Sequence, residues 1–361
     1  MFFWREDEQS VRDNLPDNTW FRRPGGNVGL GMLLGQVYPF KGLFSPSQVI
    51  SAMSRFPQSA NMSLGTNAMY DRADDLPESI EKMLDLVDDC AAEPAVTDGE
   101  REAKLRKFAV RWGGEKNADD VIGAFAAMEE ALRYMRTEVP RYRASYNGVS
   151  MRLINRPLVI KPELLTPEQE AWFLPHVFNP RLNEARMDYI DLHGGRFTGT
   201  ETWEDEGFWK ALATARNAGS MLMNLEGAPE GEWLGKVGRS LSMWTCEMRS
   251  IHNFYHGQLI RDKYSDILNG PKRIPAKVAN WDGDPGYLEW NAIMRNEFDN
   301  ANELLKLLRD GGMELVAHAR DSRYEDTFLL GPDLIGQLEK KVDIMRERWL
   351  DVQDYLASPH K

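Results

Sequence analysis

Residues 232–268 read EWLGKVGRSLSMWTCEMRSIHNFYHGQLIRDKYSDIL, and they decide the fold class. Leu234, Val237, Leu241, Trp244, Met248, Ile251, Tyr255, Leu259 and Ile260 recur mostly every three or four positions. That is the repeat of one helix face, sustained too long for a strand. NGPKRIPAK ends the pattern, because each proline removes a backbone donor and disfavours helix in the residue before it. Working outward, 286–310 and 333–357 carry the same period, and so does 202–225 before the GAPEG turn at 227–231. Four helical segments joined by shorter breaks predict antiparallel packing.

The N-terminal half repeats the theme with shorter helices. Ser45-Pro46-Ser47 opens SPSQVISAMSRF with a capping serine and a proline in the first turn. Leu76, Ile80, Met83, Leu84 and Val87 form the stripe of LPESIEKMLDLVDDC. EREAKLRKFAVRWG ends at Gly113-Gly114, a glycine stop. Val121, Ile122, Phe125, Met128 and Leu132 mark a helix that Pro140 closes. Residues 140–200 are punctuated by proline. RPLVIKPELL reads as extended, TPEQEAWF as a short helix capped by its threonine, and PRLNEARMDYIDLHGG as a helix stopped by glycine. The fold expected is all-α: a multi-helix bundle with long antiparallel helices in the C-terminal half and an irregular, loop-rich N-terminal segment. Its segments are 1–44 (irregular), 45–139 (helical subdomain), 140–200 (connecting region) and 201–361 (long-helix bundle).

Composition limits the function classes. The 361 residues carry a net charge of −12, which repels phosphate backbones and anionic lipid. Nucleic acid and membrane are therefore not expected partners. No apolar run reaches the roughly 20 residues a membrane span needs, and MFFWREDEQS is too short in apolar residues for a signal peptide. Two cysteines, Cys90 and Cys246, give no disulfide framework. A soluble cytoplasmic protein is the reading. The glycine cluster GGNVGLGMLLG lacks the strand and acidic residue of a dinucleotide fingerprint and reads as loop packing.

Chemistry-bearing residues fall into four polar clusters. RFPQSANMSLGTNAMYDR, residues 55–72, brings Arg55, Gln58, Asn61, Asn67 and Arg72 into one amide-rich loop. Arg156 follows Asn155 before a proline. Asp191 and His193 lie in DYIDLHGGR. Arg249, His252, Asn253 and His256 share one face of the long helix. Amides, carboxylates, imidazoles and planar guanidinium groups suit hydrogen bonding to polyols. The same groups also buttress loops against helices, and for any single residue that reading is at least as strong. His252 and His256 stand at metal-ligand spacing, but no third ligand is evident, so no metal is expected. Asp74-Asp75, Asp88-Asp89 and Asp119-Asp120 lie near helix ends, where carboxylates complement the dipole or solvate a face. No cofactor motif occurs, and no catalytic carboxylate pair can be selected.

KLRKFAVRWGGEKNADDVIGAFAAMEEALRYM, residues 104–135, resembles a helical segment that follows the catalytic barrel in large bacterial glycoside hydrolases. The α-glucuronidase-like and α-N-acetylglucosaminidase-like enzymes are examples. NRPLVIKPELLTPEQEAWFLPHVFNP and RSLSMWTCEMRSIHNFYHGQLIRD resemble the rest of such a region. The resemblance implies a helical accessory module that binds carbohydrate or completes a cleft. Its partner would be a separate or upstream barrel of about 250 residues, because no alternating strand and helix pattern here could build one. If the chain is itself an enzyme, the resemblance implies a glycoside hydrolase-like one. A stand-alone helical interaction or scaffold protein is the alternative.

Overall fold

The computed structural model describes residues 30–34, 39–54, 62–66, 76–138, 153–161, 165–169, 206–263, 285–325 and 330–351. The fold is all-α, as the apolar periodicity predicts. The helices are α1 (Pro46–Met53), α2 (Pro77–Ala92), α3 (Asp98–Gly113), α4 (Ala118–Glu138), α5 (Glu206–Met223), α6 (Gly231–Lys263), α7 (Pro285–Arg309) and α8 (Leu334–Glu347). Among the described residues one small sheet accompanies them. Strands β1 (Leu30–Leu34) and β2 (Met62–Thr66) pair in parallel, with Leu30 opposite Met62 and Leu34 opposite Thr66. This corrects two expectations, since β1 lies in the glycine cluster and β2 inside the amide-rich loop. Each strand is five residues long and carries a glycine, so neither shows a strand period, and its partner is distant in sequence.

Local chemistry explains where the helices begin and end. The Ser45 side chain accepts from the Gln48 amide at 3.4 Å, and Pro46 takes the first turn of α1. A capping box opens α3: the Glu100 amide donates to Thr97 at 3.3 Å, and the Thr97 amide donates to the Glu100 carboxylate at 2.8 Å. The α3 helix stops at Gly114, whose φ of 78° is left-handed and favours glycine. On α2 the buried face runs through Ser79, Met83, Leu86, Val87 and Cys90. Leu84, expected in that stripe, is exposed, because it lies one residue around the helix from Met83.

The described residues fall into two compact units. The first takes in those of Met1–Glu138, together with Glu206–Trp244 and Gly312–Ala317. Its core is a cluster of five rings. Trp112 contacts Trp233 at 5.2 Å, Phe108 at 5.5 Å, Phe125 at 5.9 Å and Phe44 at 6.4 Å between centroids. Trp233 donates its indole N–H to Ser79 Oγ at 2.7 Å, and Ser79 donates to the Gly42 carbonyl at 2.9 Å. The end of the loop before α1 is thereby tied to α2 and α6. Helix α4 packs on α3 and α5.

The second unit takes in the described residues of Val139–Asp205, Thr245–Gly311 and His318–Lys361. Its frame is the C-terminal part of α6 with α7 and α8. Both neighbouring pairs run antiparallel. Cys246 meets Asn300 while Asn253 meets Asn296. Asn291 meets Trp349 while Arg309 meets Glu339. Residues 153–160 are buried in this unit without forming a strand or an extended helix. No described helix is long and apolar enough to cross a membrane.

Candidate functional site

The α6 face named from sequence lies in the second unit, beside polar side chains from α7. Arg249 donates to Glu303 at 2.8 Å and to the Asn296 side chain at 3.3 Å. Asn253 donates to Asn296 at 3.1 Å and to the Glu297 carboxylate at 2.7 Å. Ser250 donates to the other Glu297 oxygen at 2.7 Å, and Asn300 donates to Ser250 at 3.0 Å and to the Cys246 carbonyl at 2.8 Å. The imidazoles of His252 and His256 meet edge to face, 5.6 Å apart between centroids. His252 is buried and His256 half-buried.

Beneath this edge lies a buried ion pair. Lys341 of α8 donates to Glu297, and both side chains are 0% exposed. The same ammonium reaches the carbonyls of Ile154 at 2.7 Å and Leu153 at 3.2 Å, and it lies 5.7 Å from the centre of the Phe254 ring. One turn earlier on α8, Gln337 accepts from Asn155 at 2.5 Å and donates to Glu325 at 3.0 Å. Burial holds the Lys341 ammonium below the ordinary lysine range, against the opposing charge of Glu297. Glu247, on another side of α6, is 3% exposed, and burial alone pushes its carboxyl well above the usual range.

Of the residues singled out from sequence, Arg249 and His256 stand two turns apart on α6, with His252 and Asn253 between them. Arg156 is buried within 153–160, next to the Asn155 that Gln337 holds. Arg55, Gln58, Asn61, Asn67, Arg72, Asp191 and His193 lie outside the described residues. Sequence reasoning missed Glu297, Lys341, Gln337 and Asn300. A signal existed: Glu297 falls in the apolar run Trp290, Ile293, Met294, Ala301, Leu304, and Lys341 in the run Leu334, Leu338, Val342, Ile344, Met345. Opposite charges inside two apolar stripes predict a buried pair.

Of the acidic doublets, Asp74-Asp75 lies outside the described residues, and one member of each of the other two forms ion pairs. Asp89 takes Lys104 and Lys107, and Asp119 takes Arg106 at 2.5 Å. Among the described residues no group of three or more His, Cys, Asp or Glu side chains could hold a metal ion. Compared with known proteins, the chain matches no family model, no curated protein and no solved structure.

Proposed function

We propose that the chain is a helical accessory module of a carbohydrate-active, glycoside hydrolase-like protein. In this reading it acts in the cytoplasm, binding saccharide or completing the cleft of a catalytic barrel carried upstream or on a separate chain. The observation that supports it is the α6–α7 edge, where Arg249, Asn253, Asn296 and Glu303 fix one another's orientation beside the half-buried His256. Sugars are recognised through hydroxyl groups that donate and accept at once. Planar groups already locked in place lose little rotamer freedom when they bind one. The amide-rich stretch 55–72 supplies the same chemistry in its sequence.

A thermal-shift screen with neutral and acidic oligosaccharides tests this, because a ligand bound only by the native state raises its melting temperature. The expected result is a rise with at least one sugar, reduced in a variant carrying Asn61→Ala, Asn67→Ala and Arg72→Ala and in a separate His256→Ala variant. No rise with any sugar would overturn the reading.

One observation favours a second reading, a helical interaction or scaffold protein without a glycan. Arg249 is already engaged by Glu303 and Asn296, as structural groups are. On that reading Arg249→Ala lowers stability and leaves every sugar response flat.

A further inference from the structure

We propose that Lys341 is a conformational pin. Its ammonium, charged and aimed by Glu297, fixes the buried irregular segment 153–160, and with it the placing of Arg156. The inference goes beyond the carbohydrate reading and does not depend on it. A buried segment that forms no strand and no extended helix must find partners for its backbone carbonyls beyond its own local turn, because an unpaired buried carbonyl is costly. Here the partner for two successive carbonyls, those of Leu153 and Ile154, is one lysine. The next residue, Asn155, is held through its side chain by Gln337, one turn away on the same face of α8.

Apolar side chains bury the segment, with Leu153, Ile154, Val159 and Ile160 fully enclosed and Leu158 lying over Gly257 of α6, where an added Cβ would meet it at 3.1 Å. The hydrogen bonds to named carbonyls add a directional constraint to that packing. Glu297 performs two tasks in this arrangement. It neutralises the ammonium, and it accepts from Ser250 and Asn253, so that α6, α7 and α8 all fix the point from which Lys341 reaches.

Removing Lys341 alone also strands a buried carboxylate, so a lone Lys341→Met variant confounds the pin with general destabilisation. The informative protein is the full chain carrying Lys341→Met with Glu297→Gln, which removes both charges and keeps an acceptor for α6. Amide hydrogen exchange read by mass spectrometry compares it with wild type. The expected result is exchange at least tenfold faster in 153–160, with α6 and α7 unchanged. Wild-type protection of 153–160 in a folded double variant would overturn the pin. If the double variant does not fold, Lys341→Arg keeps the charge but replaces the point donor with a planar fork. Faster exchange in 153–160 then supports the pin, and unchanged exchange overturns it.

Discussion

A Cβ placed on Gly238 of α6 would lie 2.5 Å from the carbonyl oxygen of Gly219 on α5. The reverse approach is as close, since a Cβ on Gly219 would meet the Gly238 carbonyl at 2.8 Å and Ser242 Oγ at 2.6 Å. The two helices touch backbone to backbone there, and the carbonyl that each Cβ would meet cannot swing aside as a side chain can. Gly238→Ala therefore forces the helices apart and is expected to cost about 1–3 kcal/mol or more. Gly235, one turn earlier on the same helix, has open space around its missing Cβ. Gly235→Ala gains helix propensity and is expected to stabilise by about 0.5–1 kcal/mol. Chemical denaturation of the two variants should show midpoints moving in opposite directions. A harmless Gly238→Ala would mean that the helices do not cross this closely.

Ser79 is a relay between Trp233 and the Gly42 carbonyl. All three groups are tied in the buried part of the first unit, and Gly42 has a left-handed φ of 82°. Ser79→Ala removes an acceptor from the indole and a donor from the carbonyl while changing little volume. The expected cost is about 1–3 kcal/mol, the penalty for leaving buried polar groups unmet. A urea midpoint that falls without a change in slope would match this, because the surface exposed on unfolding stays the same.

Thr97 offers a cleaner local test. It caps α3 at an exposed position, so its replacement disturbs no core. Thr97→Ala is expected to cost about 1 kcal/mol, and Thr97→Ser nearly nothing, because serine retains the accepting oxygen. Equal losses in both variants would point to packing of the threonine methyl instead of capping.

How much of this was legible in the sequence depends on range. Helices were readable wherever an apolar period or a local cap declared them, as in α1, α3 and the long α6, because those signals lie within one or two turns. The strands were not, since β1 and β2 draw their pairing from residues about thirty positions apart and carry no period of their own. Likewise, each compact unit combines distant stretches, and no local signal announces that 312–317 belongs with the N-terminal helices. In the candidate site, Arg249, Asn253 and His256 were found because three polar residues shared one helix face. Glu297 and Lys341 each interrupt an apolar stripe on a different helix, and only tertiary packing brings the two interruptions together. The capping box at Thr97 and Glu100 is legible locally too, because threonine followed three residues later by glutamate is its signature.

Glu247 gives the last prediction its sign. The carboxyl is buried on α6, and desolvation raises its proton affinity well above the reference of 4.5. A proton bound more tightly by the folded chain than by the unfolded one stabilises the fold at low pH. That contribution is complete below the unfolded value and is lost as pH rises towards the folded one. Glu247→Gln is uncharged throughout and keeps the shape, so it lacks this dependence. Unfolding free energies of the two proteins should nearly coincide at about pH 4 and diverge upward, with the glutamine variant more stable at about pH 8. A gap of about 1–3 kcal/mol matches the cost of desolvating a buried polar group. Parallel pH profiles would show that the Glu247 carboxylate reaches solvent or a counter-charge when it ionises. A variant less stable at every pH would show that the acid proton is donated within the fold.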